Sequence, residues 1–298
     1  MRLNHIVRFM RSLPLYGSGR RLDFFSISSL SRADRISNEA IIRGLCKVAY
    51  LGDNTVLCRA LGHFKMFVDT RDVGLASHLM LDGYWEMWVT EAIAELVRPG
   101  MVVADIGANV GYFTLLMGKL VGAKGRVHAF EPNPRLVSLL HKSLSANGFS
   151  TWVDVHQVAL SAENDREMAL IIPPDEPKNA HMVPLSDHLP EGAVRIPSTR
   201  LDSRTDWQDI EFAKIDVEGA EEQVWDGLQG LLNSGRLRTV ILEFAAVRYR
   251  DPEGFLKTIV ESGFSLAYID MRNGITATSI AQILAGNAYE DIMLVLRR

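Results

Sequence analysis

From residue 101 to the C-terminus, short apolar runs alternate with segments whose apolar residues recur at helical spacing, and few folds satisfy that alternation. Met101 to Ile106, Arg126 to Phe130, Val153 to Leu160, Phe212 to Val217 and Thr239 to Phe244 read as strands. Several are apolar without interruption, as strands buried on both faces are. Between them, Phe113, Leu116, Met117 and Leu120, then Leu136, Leu139, Leu140 and Leu144, then Ala220, Val224, Leu228 and Leu231 mark helices. Pro252 to Ser262 reads as another. The pattern predicts an α/β, doubly wound, mostly parallel sheet with helices on both faces. Ser265 to Met271 and Asp291 to Leu296 are two final strands. The segment between them is too short and too rich in small residues for a crossover helix, so an antiparallel C-terminal strand is expected.

Outside that rhythm the chain is less regular. Residues 45–70 alternate apolar and polar and suggest short strands, with turns at Gly52-Asp53-Asn54 and Gly62. Trp85, Trp88, Val89, Ala92, Ile93, Leu96 and Val97 share one helical face, closed by Pro99-Gly100. Glu167 to Ile172 reads as an extra strand. Six of the 11 prolines fall within residues 173–197, so no regular element is expected over 173–198. That stretch reads either as a functional loop or as a surface insertion. The chain divides into an N-terminal extension, 1–64, and a core domain, 65–298.

Composition narrows the partners. A chain of 298 residues with 47% hydrophobic and 23% charged residues is long enough to bury a large core. Its net charge of −4 lacks the basic footprint of a nucleic-acid binder. Cys46 and Cys58 are not spaced as a redox pair or a zinc cluster, which fits a reducing, cytoplasmic setting. No apolar run approaches the roughly 18–20 residues of a membrane span. Arg8 and Arg11 interrupt the apolar N-terminus, which reads as a surface helix or tail, or as a weak membrane-surface contact.

The residues that carry chemistry sit at strand ends. Asp105-Ile106-Gly107-Ala108-Asn109-Val110-Gly111 follows a buried strand and opens a helix, the setting of a nucleotide-binding turn. Gly107 permits a tight turn, Asn109 tolerates left-handed geometry, and Gly111 allows close packing at the helix start. The free N–H groups expected there favour a carboxylate or phosphate. Asp105, by contrast, suits an ammonium group. A cofactor with an amino-acid end, such as S-adenosylmethionine, therefore fits better than NAD. Glu131, closing the next strand, can hold ribose hydroxyls.

A second cluster, Lys214-Ile215-Asp216-Val217-Glu218-Gly219-Ala220-Glu221, spans a strand end and a helix start. Its carboxylates read as helix caps, or as a base, a substrate orienter or a cation site. Glu243, near the end of its own strand, is expected beside Asp216, where two carboxylates could hold Mg²⁺ or act as base and orienter. No metal site is assigned.

In order and spacing these pieces resemble the FkbM-type methyltransferases. The matching segments are Gly83-Tyr84-Trp85-Glu86, Asp105 to Thr114, Ala129-Phe130-Glu131-Pro132-Asn133-Pro134, Ala159-Leu160-Ser161 and Lys214 to Glu221, within residues 65–296. The resemblance implies a class I methyltransferase that uses S-adenosylmethionine to methylate a hydroxyl oxygen on a sugar, glycan or secondary metabolite. It implies that Asp105, Gly107 and Asn109 hold the methionine end, Glu131 the ribose, and that Ala159 lies near the adenine. Asp216 and Glu218 would face the methyl group and the acceptor. Trp85 reads as core packing; Glu86 and His78 are candidates to reach over the cofactor. His128 and His156, within strands, read as structural. An NAD-dependent oxidoreductase and a non-catalytic cofactor-binding scaffold are the competing readings.

Overall fold

The computed structural model describes residues 24–173, 180–186, 189–190 and 192–298. The N-terminal arginines lie outside the described residues. Helix α1 (Arg35–Leu45) leads into strands β1 (Val48–Gly52), β2 (Thr55–Ala60) and β3 (Phe64–Asp69), then helices α2 (Val73–Leu81) and α3 (Met87–Leu96). The alternating part follows as β4 (Val102–Ile106), α4 (Tyr112–Val121), β5 (Arg126–Phe130), α5 (Pro134–Asn147) and β6 (Val153–His156). Next come β7 (Ala159–Leu160), β8 (Arg166–Ile171), β9 (His181–Pro184) and β10 (Val194–Thr199). The chain then runs through β11 (Phe212–Ile215), α6 (Glu221–Asp226), α7 (Gln229–Ser234), β12 (Thr239–Phe244) and α8 (Pro252–Glu261). It ends with β13 (Ser265–Asp270), β14 (Gly274–Ala277), α9 (Ile280–Leu284) and β15 (Ile292–Arg297).

The main sheet has eight strands in the order β14-β13-β15-β12-β11-β4-β5-β6. Strands β12, β11, β4, β5 and β6 are parallel neighbours, and β15 runs antiparallel between β12 and β13. From β4 the chain steps outward through β5 and β6, then returns to β11 on the other side. That reversal leaves a crevice at the carboxyl ends of β4 and β11, where ligands bind in open α/β sheets.

Strand periodicity decides what faces that crevice. Val103 and Phe212 pack into the core layer built with α3, α4 and α5, whereas Ala104, Ile106, Ala213 and Ile215 pack toward α6, α7 and α8. Asp105 and Lys214 therefore point to the first face, paired side by side across β4 and β11. Glu243 shares that face through its pairing with Met293.

Three expectations are corrected. The expected third strand, Val153 to Leu160, breaks at Gln157-Val158. Its second half, β7, joins a separate four-stranded sheet, β7-β10-β8-β9. That sheet also overturns the expectation of no regular element over 173–198. Pro184 and Pro197 sit within β9 and β10, and β10 pairs parallel with β7 and antiparallel with β8. Proline is tolerated where the ladder does not call on its missing N–H. The helix expected from Ala220 onward is two short helices, with Gly227 between them against the Ser161 carbonyl, where a Cβ would lie 2.1 Å from the oxygen. The extra strand at β8 forms as read, while β14 and α2 carried no periodic signal strong enough to read. No described helix is long and apolar enough to cross a membrane.

Candidate functional site

A cleft opens at the reversal point, where ligands bind in open α/β sheets. Gly107, Asn109, Glu131, Ala159, Asp216 and Glu218 all line it. The opposite wall is apolar: Val158, Leu160, Leu170 and Met182, so the accessory sheet contributes to it through β8 and β9.

The turn after β4 is built more tightly than its sequence suggests. Gly107 has φ +77°, and a Cβ there would lie 1.8 Å from the Asp216 carbonyl oxygen. Only glycine lets the β4 and β11 ends come this close. Asn109 is left-handed at φ +51°, and its Oδ1 accepts from the Val110 N–H at 2.7 Å. The N–H groups expected to be free are engaged. Those of Gly107 and Ala108 donate to the Phe130 carbonyl, that of Asn109 to Glu131 Oε2, and that of Gly111 to Ala108. Gly111 faces the core, where a Cβ would lie 2.2 Å from Leu140 Cδ1.

Glu131 ties two loops together. Its Oε2 accepts from Asn109 and its Oε1 from the Asn133 N–H, both at 2.8 Å. Burial raises its pKa to about 7 against the two backbone hydrogen bonds that lower it. Each carboxylate oxygen keeps a second lone pair for a ligand hydroxyl.

Asp105 lies beneath the cleft rather than in it. It is fully buried, and Oδ2 accepts from Thr114 Oγ1 at 2.5 Å. Its Oδ1 has no hydrogen-bond partner. Burial raises its pKa, opposed by the Lys214 ammonium. Lys214 is the residue that sequence reasoning quoted without giving it a role. It is buried, stands over the Phe113 ring at 5.1 Å, and donates to Asp216 Oδ2 at 2.8 Å. Burial alone would lower its pKa, but Asp216, Asp105 and Glu86 outweigh it and raise it. A lysine inside an otherwise apolar strand was the available signal, since buried lysines are nearly always paired.

Asp216 reaches solvent with its side chain 25% exposed, as Glu218 does at 30%. Glu218 follows in a left-handed conformation, φ +54°. Glu221 turns inward, with Oε1 accepting from the Val217 and Gly219 N–H groups and Oε2 from the Tyr249 hydroxyl. It shapes the loop and does not line the cleft. Glu243 is ion-paired to Arg248, which also reaches Glu218 and Asp291. Arg248 carried no signal in the sequence. Among the described residues, no group of three or more His, Cys, Asp or Glu is placed to hold a metal ion.

Glu86 caps α3 in a left-handed conformation, φ +37°, and its charge helps raise the Lys214 and Tyr112 pKa values. It belongs to the Lys214 side of the sheet edge and does not line the cleft. His78 turns to Asp82 at 3.4 Å and to the Trp85 ring. His128 and His156 stack on each other in the sheet, with Trp207 against His156.

Burial raises the pKa of Glu131 and Glu218 to about 7. Each folded value lies above the ordinary 4.5, so the unfolded chain holds fewer protons over that window. The protonated groups favour the fold fully below the ordinary value, and this contribution is lost as pH rises through about 7. His63, His128 and His156, whose pKa values burial lowers, act in the opposite direction below their ordinary 6.5, so the test is the difference between two chains. Glu218→Gln should gain Tm relative to the wild type as pH rises from about 5 to about 8; parallel wild-type and variant curves would contradict this assignment.

The sheet order with β15 reversed, and a cleft at the β4–β11 reversal, define a class I methyltransferase. The chain belongs to the FkbM methyltransferase family: residues 105–274 match the family model described as the methyltransferase FkbM domain. S-adenosylmethionine is the cofactor expected of that family, which sets aside the oxidoreductase reading. The protein-L-isoaspartate O-methyltransferase 1 of Arabidopsis thaliana is 31% identical over 71 residues, 24% of this chain and 31% of that protein. The tRNA wybutosine-synthesizing protein 2 homolog of Danio rerio is 40% identical over 90 residues, 28% of this chain and 22% of that protein. The matched region thus spans under a third of either relative. The solved FkbM methyltransferase of Methylobacillus flagellatus is 14% identical, with a TM-score of 0.43, covering 68% of this chain and 45% of that one.

Proposed function

We propose that this protein transfers the methyl group of S-adenosylmethionine to a hydroxyl oxygen of a sugar, glycan or related small molecule. The observation that carries the reading is Asp216, a partly exposed carboxylate at the rim of the cofactor cleft, held by a buried lysine. The cleft fits the cofactor chemically. Its apolar wall suits a flat base, Glu131 suits ribose hydroxyls, and the partnerless Asp105 Oδ1 beneath the turn suits a donor.

The bound cofactor supplies an electrophilic methyl group. The chain supplies alignment and proton handling. A sugar hydroxyl is a poor nucleophile at neutral pH, so a nearby base assists it. In this reading Asp216 takes the hydroxyl proton. Lys214 fixes its orientation through the hydrogen bond to Oδ2. Glu218 orients the acceptor. Glu243, bound to Arg248, sets the geometry of the Glu218 loop from behind. Gly107, Asn109 and Glu131 hold the cofactor, Ala159 sits at the adenine, and Asp105, Gly111 and Glu86 act through the residues they support.

The test uses S-adenosylmethionine carrying a CD₃ group, incubated with the protein and fractionated cell extract. Mass spectrometry should find a gain of about 17 daltons, the mass of CD₃ replacing H, on a hydroxyl of a saccharide or small molecule. The label appearing only in RNA or protein would replace the acceptor class, with the tRNA- and protein-named relatives as the guide. Cofactor binding with no labelled product in any fraction would favour a scaffold.

A further inference from the structure

A second hollow of about 860 Å³ lies along the same edge of the main sheet, beyond the Arg248 cluster. Its floor comes from the carboxyl end of β12 at Phe244, from Tyr268 on β13 and from the start of β15 at Ile292. Its rim is polar. Thr276 and Thr278 bring hydroxyls, Gln282 on α9 and Asn287 bring amides, and Glu290 brings one carboxylate. Among the described residues that line it, there is no lysine or arginine.

Two observations join this hollow to the reacting edge. The turn 246–248 places Ala246 in the hollow and Arg248 on Glu218 and Glu243. The loop carrying Asn287 and Glu290 accepts the Val247 N–H at the Ala288 carbonyl, 2.9 Å, and carries Asp291, which meets Arg248 at 3.1 Å. A ligand held here would therefore have one wall in common with the proposed acceptor site.

The lining selects its chemistry. An aromatic side chain, Tyr268, with hydroxyl and amide groups around it matches a pyranose, whose C–H face packs on a ring while its hydroxyls exchange hydrogen bonds. Asn287 spends its carbonyl oxygen on the Tyr289 N–H, and Gln282 spends its own on Ser279, which leaves two NH₂ donors. Glu290 supplies an acceptor. The absence of a cation disfavours phosphate, and with it nucleic acid. We propose that this hollow is the acceptor subsite and takes a neutral sugar unit. The inference rests on the reading that the acceptor is a sugar, and it adds where that sugar is held.

The test is saturation-transfer NMR on the full chain with S-adenosylhomocysteine present. The probes are methyl α-D-glucopyranoside, methyl α-D-mannopyranoside and methyl α-L-rhamnopyranoside at millimolar concentration. At least one should receive saturation from the wild type, reduced about tenfold by Tyr268→Ala and kept by Tyr268→Phe, which retains the ring. Gln282→Ala, on an exposed side chain, should weaken binding about threefold and covers the case in which Tyr268→Ala does not fold. No saturation of any probe, or equal saturation in the wild type and both binding variants, overturns the subsite. Methylation of a saccharide with unchanged KM in Tyr268→Ala and Gln282→Ala also overturns the subsite while the methyltransferase reading stands. Tyr268-dependent sugar binding with no methyl transfer to any hydroxyl supports the subsite and overturns that reading instead.

Discussion

Asp216→Ala is expected to lower methyl transfer at least about a hundredfold, the low end of what a positioned general base contributes, while the protein still binds S-adenosylhomocysteine. The reasoning starts in the strand. β11 buries Lys214 on one face, and the next residue on that face, Asp216, emerges at the carboxyl edge to meet it. Removing Asp216 leaves Lys214 with Asp105 and Glu86 still nearby, so the buried charge keeps compensation and the fold should survive. Asp216→Asn is the cleaner variant, because an amide oxygen can still accept from Lys214 but cannot take a proton from an acceptor. It should lose about as much rate as alanine does. Steady-state transfer measured on the acceptor identified by CD₃ labelling checks this; a less than threefold loss in Asp216→Asn would remove Asp216 as the base.

Gly107→Ala is expected to destabilise the protein by about 3–5 kcal/mol and to abolish cofactor binding. The cause is backbone against backbone. The new Cβ would meet the Asp216 carbonyl oxygen at 1.8 Å, and φ is +77°. Neither partner is a flexible side chain that can swing away. The strain must separate the ends of β4 and β11, the two elements that form the cleft floor. Gly148→Ala is the control. It shares a positive φ, +74°, but nothing lies within 4 Å, so only the left-handed penalty of about 1 kcal/mol applies. Denaturant unfolding of both variants separates the terms. Equal losses would show that the close approach at Gly107 is not what makes it necessary.

Much of this architecture was legible because parallel strands buried on both faces write themselves as apolar runs. β5 and β12 match their sequence bounds residue for residue, and β4, β11 and β15 differ only at their ends. The same logic placed Gly107, Asn109, Glu131, Asp216 and Glu218 at strand ends, and the structure brings these five to one cleft. What sequence could not convey was direction. Asp105, Asp216 and Glu243 share one face of the sheet, yet only Asp216 lines the cleft, because the partners packed around each carboxylate decide whether it meets a ligand or a neighbour. Asp105 turns to Thr114 and Glu243 to Arg248, while Glu221, at the start of a helix, turns to Tyr249. The N–H groups of the first turn were expected to be free, yet the chain folds back and satisfies them with Phe130 and Glu131, as buried backbone requires. In the accessory sheet β9 and β10 were illegible because proline density argues against strands, and both rely on partners distant in sequence.

The division of the edge into a cofactor part and a reacting part is tested most directly by calorimetric titration of S-adenosylhomocysteine into the wild type, Glu131→Ala and Asp216→Ala. Glu131 organises both the Asn109 turn and the Asn133 turn and faces the cleft. Its loss should weaken binding more than about tenfold, as expected when hydrogen bonds to a charged group are removed. Asp216→Ala should bind within about threefold of the wild type. Tight binding by Glu131→Ala together with lost binding by Asp216→Ala would contradict the account.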